Sequence, residues 1–294
     1  YRAYDKNISV TADGGKNYLI VDGKKVLVLQ EKEPTLLPWK DLDIDVVIEA
    51  TGIFESFEKA SAHLKAGAKR VTITAPAKDD EQEHAKTVLL GLNEDQFKTC
   101  TITSNGSCTT NATHPVAAIM SETVGVKKAM LSSVHSYTAT QSLVDSLAGK
   151  SKDFRRGRAA AINIIPAASG VTVSVTRVLK NLEGKFDGMA IRVPSITVSL
   201  ADFTFIAEKR TSVGEINEIF RKAAKESRWR DVLTVVEDHI VSSDIIGMPY
   251  GAVIDLSFTK VVDGDLVKVF SWYDNEWGYV HTLVKHVQKL GETL

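Results

Sequence analysis

The chain has 294 residues and a mass of 32.1 kDa, more than one hydrophobic core usually fills, so its length predicts two domains. Hydrophobic residues make up 44% and charged residues 25%, which excludes a disordered, collagen-like or disulfide-scaffold protein. The formal net charge is −1, so we expect neither nucleic acid nor an anionic membrane as a partner. The apolar runs fall far short of the roughly 18 residues that suggest a membrane span.

The sequence contains two cysteines, Cys100 and Cys108. A disulfide framework needs more, and no CxxC or HxxxH spacing supplies ligands for zinc. We therefore expect no metal site, and the low cysteine content favours a reducing, cytoplasmic setting.

The first third of the sequence alternates strand and helix patterns. The unbroken apolar centre of the run at 45–50 suits a parallel strand covered on both faces. Thr51-Gly52 ends that run, and an amphipathic helix follows and stops at Gly67. Such a strand–helix–strand unit is the building block of a parallel, doubly wound sheet. The predicted strands are 26–29, 45–50 and 70–74.

From about residue 126 the pattern changes to that of an antiparallel or mixed sheet covered by helices. Ser212 to Glu215 matches a capping box ahead of a helical stripe, and Asp263-Gly264 between apolar runs predicts a hairpin with a type I′ turn. The tail predicts a helix with Trp277, Val280, Val284 and Val287 on one face and a stop at Gly291. Further strands are predicted at 130–134, 191–193 and 198–207. The fold class is therefore α/β, a Rossmann-like parallel sheet joined to an α+β domain.

The densest polar cluster surrounds Cys108, from Ser104 to Asn111. It lies between a predicted strand at 101–103 and a helical segment in which Pro115 marks the first turn or a kink. Backbone N–H groups and the positive end of a helix favour a thiolate, which predicts a pKa for Cys108 below the usual value of about 8.5. A lone cysteine is as often a small buried hydrophobe. The surrounding hydroxyls and amides favour the nucleophile here, and Cys100 is interpreted as structural.

A thiolate nucleophile needs a base, and His135 is the best candidate because it ends a predicted strand beside a long polar loop. Arg192 lies within an apolar strand, where a guanidinium is either an ion-pair partner or a clamp for phosphate or carboxylate. The basic run Arg155 to Arg158 is typical of a solvated face or an interface. The remaining histidines are interpreted as surface residues, namely His63, His84, His114, His239, His281 and His286.

Four motifs in register resemble the phosphorylating glyceraldehyde-3-phosphate dehydrogenases of the bacterial type. The resemblance runs from the first residues to the last and is far more specific than any one motif. The motifs are Ser107-Cys108-Thr109-Thr110-Asn111, the run from Val134 to Gln141, the run from Gly188 to Pro194 and the run from Ser271 to Tyr279.

The resemblance implies that Cys108 attacks the aldehyde of glyceraldehyde 3-phosphate and that His135 acts as the base. Inorganic phosphate would cleave the resulting thioester to give 1,3-bisphosphoglycerate. Ser169 stands where the family usually has Thr, and its hydroxyl preserves the function. By match to the family motifs, Thr138 and Arg192 would bind the substrate phosphate, and Ser107, Thr109, Ser169 and Gly170 would serve inorganic phosphate.

The resemblance also implies NAD as the cofactor, with NADP as the alternative, and a homotetramer. Asn275 would bind the nicotinamide carboxamide with Tyr279 nearby, and the polar loop at 138–162 would pack between subunits beside the cofactor. The other implied cofactor residues are Lys32, Thr51, Gly52 and Thr74. The implied domains are an incomplete dinucleotide-binding domain (1–107), a catalytic domain (108–271) and a C-terminal helix that returns to the first (272–294).

One departure from the family concerns the phosphate loop. The family begins with a strand and a glycine-rich loop, and this sequence starts where that βαβ unit, of about fifty residues, has ended. The preference for NAD or NADP, which is set there, cannot be read. Smaller departures are Ala112, where many members have a second cysteine, and extra residues at 147–152.

Two alternatives to the phosphorylating enzyme remain open from the sequence. A non-catalytic homologue, kept for assembly or partner binding, would fit the missing phosphate loop. A sibling dehydrogenase would oxidise erythrose 4-phosphate with water as the acceptor. A dependence of the reaction on phosphate separates the phosphorylating enzyme from this alternative.

Overall fold

A computed structural model describes residues 4–148 and 152–294 of the chain. The helices are α1 (Phe57–Lys65), α2 (Cys108–Thr123), α3 (Val171–Val178), α4 (Val213–Ala223), α5 (Ser242–Ile245) and α6 (Trp277–Gly291). The strands are β1 (Ile8–Asp13), β2 (Lys16–Val21), β3 (Lys24–Val28), β4 (Val46–Glu49), β5 (Arg70–Ile73), β6 (Ala85–Thr87), β7 (Ile102–Ser104), β8 (Val126–Ser136), β9 (Ile165–Ala168), β10 (Phe186–Val193), β11 (Ser199–Ala207), β12 (Leu233–Val236), β13 (Ala252–Val262) and β14 (Leu266–Tyr273).

A parallel four-stranded sheet, in the order β4-β5-β7-β6, confirms the predicted Rossmann-like unit. Helix α1 crosses from β4 to β5 and buries Phe57 and Ala60 against Val71 and Ile73. The prediction that the strand at 45–50 is covered on both faces is wrong, because Ile48 in β4 is 43% exposed. Within the described residues β4 pairs only with β5, so it is an edge strand.

The first three strands form a separate antiparallel sheet, of which sequence analysis predicts only the last strand. Their residues are largely exposed, so hydrophobic periodicity gives little signal. The turns carry the signal instead. Asp22 and Gly23, which join β2 to β3, both have positive φ, as a type I′ hairpin turn requires.

A mixed seven-stranded sheet, in the order β12-β13-β14-β11-β8-β10-β9, forms the rest of the structure. Strands β8 and β10 are parallel, as are β12 and β13, and the other pairs are antiparallel. Helices α2, α3 and α4 contribute to the main hydrophobic core on one face. The predicted hairpin is confirmed, because Asp263 and Gly264 have φ values of 45° and 74° between β13 and β14.

Helix α2 begins earlier than the position of its proline suggests. Ser107 caps the helix and Cys108 is its first residue, so Pro115 lies well inside it rather than in the first turn. The helix is buried along most of its length, and tertiary packing offsets the hydrogen bond that the proline cannot make.

The last helix, α6, has the predicted bounds, and its buried side differs from the predicted apolar stripe. Trp277, Val280 and Val284 are about half exposed, whereas Leu283, His286 and Leu290 are buried. The extra residues expected at 147–152 lie partly outside the described residues, since 149–151 are not described. No helix in the described part of the chain is long and apolar enough to cross a membrane.

Candidate active site

Cys108 lies at the junction between the two larger sheets, where the chain leaves β7 and enters α2. The Ser107 hydroxyl accepts from the Thr110 N–H and the Thr110 hydroxyl accepts from the Ser107 N–H, both at 3.1 Å. This reciprocal capping box starts the helix and places Cys108 at its N-terminus. The sulfur is 3.4 Å from Nε2 of His135, so the structure brings the predicted nucleophile and base together.

His135 lies near the end of β8, directly opposite Arg192 on the parallel neighbour β10. Its Nδ1 is 2.7 Å from the Ser136 carbonyl oxygen, and Arg192 Nη1 lies 2.9 Å from Nδ1 and 3.1 Å from the same oxygen. Burial and the Arg192 charge lower the pKa of His135 to about 4. The imidazole is therefore neutral near pH 7. The Ser136 carbonyl can only accept, which favours a hydrogen on Nδ1 and leaves the Nε2 lone pair facing the thiol; Arg192, which can only donate, then bonds the same carbonyl rather than Nδ1.

The expected lowering of the Cys108 pKa is wrong. Burial raises the pKa of the thiol, and this effect exceeds the opposing pull of the Arg192 charge and of hydrogen bonds from Thr109 and the backbone. The helix end is present, as predicted, but desolvation of the charged form outweighs it. The pair is therefore a thiol beside a neutral imidazole, so the imidazole can accept the thiol proton.

Tyr273, at the end of β14, packs against the residues around Cys108 and His135, and sequence analysis assigns it no role. Its hydroxyl contacts Thr109 Oγ1 at 2.9 Å and Ser133 Oγ at 2.8 Å, and its ring meets the His135 ring edge-on at 5.9 Å. Burial raises its pKa, so the phenol stays protonated. The sequence signal for Tyr273 is its position inside the motif from Ser271 to Tyr279.

The residues assigned to the two phosphates besides Arg192 lie in three parts of the chain. Thr138 follows β8, and its N–H donates to the buried Gln141 side chain at 3.0 Å. Gly170 caps α3, and Ser169 precedes it with its hydroxyl 3.4 Å from the Val171 nitrogen. A carbon added at Gly170 would touch Pro76 of the parallel sheet at 3.7 Å, so the α3 terminus approaches that sheet. Ser107 and Thr109 flank Cys108 itself.

The predicted cofactor residues of the parallel sheet lie at the carboxyl ends of its strands, where dinucleotides bind. Thr51 and Gly52 follow β4, and Thr74 follows β5. Gly52 has a φ of 71°, and a carbon added there would meet no atom within 4 Å, which leaves the backbone open to a ligand. Lys32 is exposed in the loop after β3.

The other two cofactor residues lie near Cys108. The Tyr279 hydroxyl donates to the Gly106 carbonyl at 3.1 Å, and Asn275 Oδ1 accepts from Ser199 Oγ at 3.1 Å. Asn105, next to Gly106, is fully buried; its side chain lies near the Tyr279 hydroxyl, and neither of its polar atoms has a partner of good hydrogen-bond geometry among the described residues. Buried amides of this kind are normally satisfied, so this side of the site fits a polar ligand group such as a carboxamide.

Three of the six histidines predicted to lie at the surface are buried. His63 is 5% exposed, and His114 and His286 are fully buried. Burial lowers the pKa of His114 to about 4 and that of His286 to about 3. His286 contacts Thr103 at 2.8 Å, a partner remote in sequence, whereas His114 contacts the Thr110 carbonyl one helical turn away and the Leu90 carbonyl. The described residues contain no group of three or more potential metal ligands.

Comparison with known proteins agrees with this geometry. A family model described as the C-terminal domain of glyceraldehyde 3-phosphate dehydrogenase matches residues 107–275, and one for the NAD-binding domain matches residues 1–57. Glyceraldehyde-3-phosphate dehydrogenase of Mycobacterium tuberculosis is 44% identical over 95% of this chain and 80% of its own length. The Zymomonas mobilis protein is 40% identical (97% and 83%), and glyceraldehyde-3-phosphate dehydrogenase 2 of Bacillus subtilis is 42% identical (97% and 82%).

The α/β fold and these matches define the class of protein, an NAD-dependent oxidoreductase. Within that class, the chain belongs to the glyceraldehyde-3-phosphate dehydrogenase family. The resemblance inferred from four sequence motifs is thereby confirmed.

Proposed function

We propose that the protein oxidises D-glyceraldehyde 3-phosphate and transfers the acyl group from Cys108 to inorganic phosphate, giving 1,3-bisphosphoglycerate. The observation that carries this proposal is the 3.4 Å contact between the Cys108 sulfur and a neutral, buried His135. The adjacency of Cys108, His135 and Arg192 supports the enzyme over the non-catalytic alternative, whose support is the missing phosphate loop.

The neutral pair supports a two-stage use of His135. In the first stage the Cys108 proton passes to Nε2 and on to the aldehyde oxygen as sulfur bonds to the carbonyl carbon, giving a hemithioacetal. In the second stage His135 takes the hydroxyl proton while the hydride leaves carbon and a thioester forms. NAD, when bound, supplies the acceptor for that hydride. Attack by phosphate on the thioester then releases the Cys108 sulfur.

The two phosphate groups would bind on different sides of Cys108. Arg192 is part-buried and its Nε has no hydrogen-bond partner among the described residues, which leaves it a donor for the substrate phosphate together with Thr138. Ser107, Thr109, Ser169 and Gly170 would receive inorganic phosphate. Cys108 is the first residue of α2 and Gly170 caps α3, and unpaired N–H groups at helix N-termini favour anions.

For the cofactor we propose that Thr51, Gly52 and Thr74 line its path along the parallel sheet, with Lys32 at its adenosine end. Asn275 and Tyr279 would hold the nicotinamide, beside the unsatisfied amide of Asn105. This places the cofactor between a dinucleotide-binding domain at 1–107 and a catalytic domain at 108–271, with the segment at 272–294 returning to the first.

We also propose a homotetramer. The seven-stranded sheet carries an exposed apolar face, which includes Met130 (51% exposed), Met189 (48%) and Phe258 (50%). The loop after β8 exposes further apolar side chains, Leu143, Phe154 and Ile162. Several large apolar side chains exposed on one face are typical of an interface.

The test is NADH formation from glyceraldehyde 3-phosphate with and without inorganic phosphate. We expect Cys108→Ser to abolish turnover while substrate still binds, and the matched variant Cys100→Ser, at a buried cysteine in the other domain, to retain it. Undiminished oxidation by Cys108→Ser would reject the proposal. Turnover that continues unchanged without phosphate would favour water as the acceptor.

A further inference from the structure

A buried acid–histidine pair lies directly behind the proposed cofactor residues and takes no part in the reaction described above. Glu49 ends β4 and His63 lies on α1, and the two are 3% and 5% exposed. Glu49 Oε2 lies 2.9 Å from His63 Nε2. Buried ionisable groups are costly, so their presence at this sheet edge calls for a physical reason.

The protonation of the histidine follows from its second contact. The Trp39 indole nitrogen lies 3.1 Å from His63 Nδ1, and an indole N–H can only donate. Nδ1 is therefore the acceptor, the hydrogen of the neutral ring is on Nε2, and Nε2 donates to Glu49. Phe54 packs edge-on against the same ring at 6.2 Å. The chain of donors thus runs in one direction, from Trp39 through His63 to Glu49.

Glu49 in turn fixes both hydroxyl residues of the proposed cofactor path. Its Oε1 accepts from the Thr51 N–H at 2.8 Å and from the Thr51 hydroxyl. Its backbone carbonyl accepts from the Thr74 N–H at 3.1 Å and the Thr74 hydroxyl at 3.2 Å. The Thr51 oxygen also accepts from the Ile53 N–H at 3.1 Å. With its hydrogen committed to Glu49, the Thr51 hydroxyl can only accept from a ligand.

We propose that Trp39, His63 and Glu49 are positioning residues that hold Thr51 and Thr74 in the arrangement that binds the dinucleotide. The inference rests on the proposed function, since it assumes that these threonines contact NAD. The network leaves the Thr51 hydroxyl only a free lone pair. The group of the cofactor that contacts Thr51 is therefore a hydrogen-bond donor.

The variant Glu49→Gln tests this with almost no change in size. Its oxygen can still accept from Thr51, but its NH₂ group then meets the His63 Nε2–H donor. If the hydrogen moves to Nδ1, it faces the Trp39 N–H, which is also a donor. His63 therefore loses one hydrogen bond in either tautomer. We expect the Kd for NAD, measured by calorimetry, to rise about tenfold.

The double variant Glu49→Gln, Trp39→Phe separates positioning from simple loss of packing. Without the indole donor, His63 can carry its hydrogen on Nδ1 and accept from Gln at position 49. We therefore expect the double variant to bind NAD within about threefold of the wild type, which is non-additive recovery. If packing alone mattered, the second substitution would weaken binding further.

Asp255 provides a matched control in the other domain. It is 1% exposed, accepts from the Ser257 N–H and hydroxyl through Oδ1, and accepts from the Trp272 indole at 3.1 Å. Trp272 precedes Tyr273 in β14, so it points to the face of the sheet opposite the catalytic pair. Asp255→Asn should therefore lower the melting temperature and leave the Kd for NAD unchanged.

Alkylation of Cys108 by iodoacetamide, which needs no cofactor, should proceed at the wild-type rate in Glu49→Gln. If that variant does not fold, Trp39→Phe alone, which removes the donor that keeps the hydrogen of His63 on Nε2, should raise the Kd for NAD, and an unchanged Kd in that variant overturns the proposal. A wild-type Kd in Glu49→Gln, or a double variant weaker than Glu49→Gln, overturns the proposal. A wild type that binds NAD but forms no NADH overturns the proposed function and leaves the positioning role standing.

Discussion

Arg192 acts on both members of the Cys108–His135 pair. Its guanidinium lies 2.9 Å from His135 Nδ1, where its charge disfavours the imidazolium, and the same charge favours the Cys108 thiolate against the effect of burial. Burial therefore disfavours the charged forms of both Cys108 and His135. The thiol proton then has one short path, through Nε2 of His135.

The clamp role of Arg192 leads to a prediction about substrate phosphate. We expect Arg192→Leu to raise KM for glyceraldehyde 3-phosphate by about tenfold or more, because a charge-assisted contact with the phosphate is lost. The KM for unphosphorylated glyceraldehyde should change little. Steady-state kinetics with the two aldehydes measure this ratio, and equal effects on both would reject the clamp.

The sequence predicts the reacting residues better than it predicts their support. Cys108, His135 and Arg192 are found from local context and family motifs, and the structure brings them into contact. Tyr273 contacts residues far away in the chain, and the contacts of the Ser136 carbonyl and of the Glu49–His63 pair depend on side-chain orientation, which a local pattern does not record. The direction of the Cys108 pKa was missed for the same reason, since burial is a tertiary property.

At the scale of elements, the sequence predicts the structure where local hydrogen bonds and turn residues determine it. Ser212 caps α4 by accepting from the Glu215 N–H, although the Glu215 carboxylate accepts from the Thr211 hydroxyl and does not complete the predicted capping box, and Asp263-Gly264 forms the predicted I′ turn. Prediction fails where packing decides, as at Pro115, which the buried environment of α2 accommodates inside the helix. It also fails for β1 and β2, whose exposed residues lack a hydrophobic period.

The buried histidines of α2 and α6 predict how stability depends on pH. The pKa of His286 is lowered to about 3 and that of His114 to about 4, so between these values and about 6.5 the unfolded chain binds protons that the native protein excludes. Their contribution is complete above pH 6.5 and is lost as the pH falls. At about pH 5 each costs up to roughly 2 kcal/mol of unfolding free energy.

Urea unfolding between pH 7 and 5 measures this loss, and His286→Gln should remove part of the slope. His84→Gln, at an exposed position, should leave the slope unchanged. A wild-type slope in His286→Gln would show that the residue does not resist protonation in the native state.

At the scale of the whole molecule, the sheets leave several large apolar side chains exposed. Phe258 stacks on Phe270 at 5.6 Å on the outer face of the seven-stranded sheet, close to Lys268. Sequence composition cannot separate this surface from the core, because the alternating pattern of a strand is the same whether a helix or a second subunit covers it. The family resemblance alone carries the prediction of four subunits.

The proposed tetramer predicts that charge on this face dissociates the assembly. Phe258→Glu would bury a carboxylate in an apolar interface, so we expect the mass measured by light scattering to fall to half or less. Val241→Glu, at a residue that is also exposed but lies in the loop before α5, should leave the mass unchanged. A wild type with the mass of a single chain would contradict the tetramer directly.

The central claim is that Cys108 carries the acyl group and passes it to phosphate, and rapid mixing tests it most directly. Without phosphate, the protein mixed with NAD and glyceraldehyde 3-phosphate should form a burst of NADH equal to the concentration of sites and then stop. Added phosphate should restore steady formation. The burst should be absent in Cys108→Ser and present in Cys100→Ser. Steady NADH formation without phosphate, or a burst in Cys108→Ser, would contradict the account.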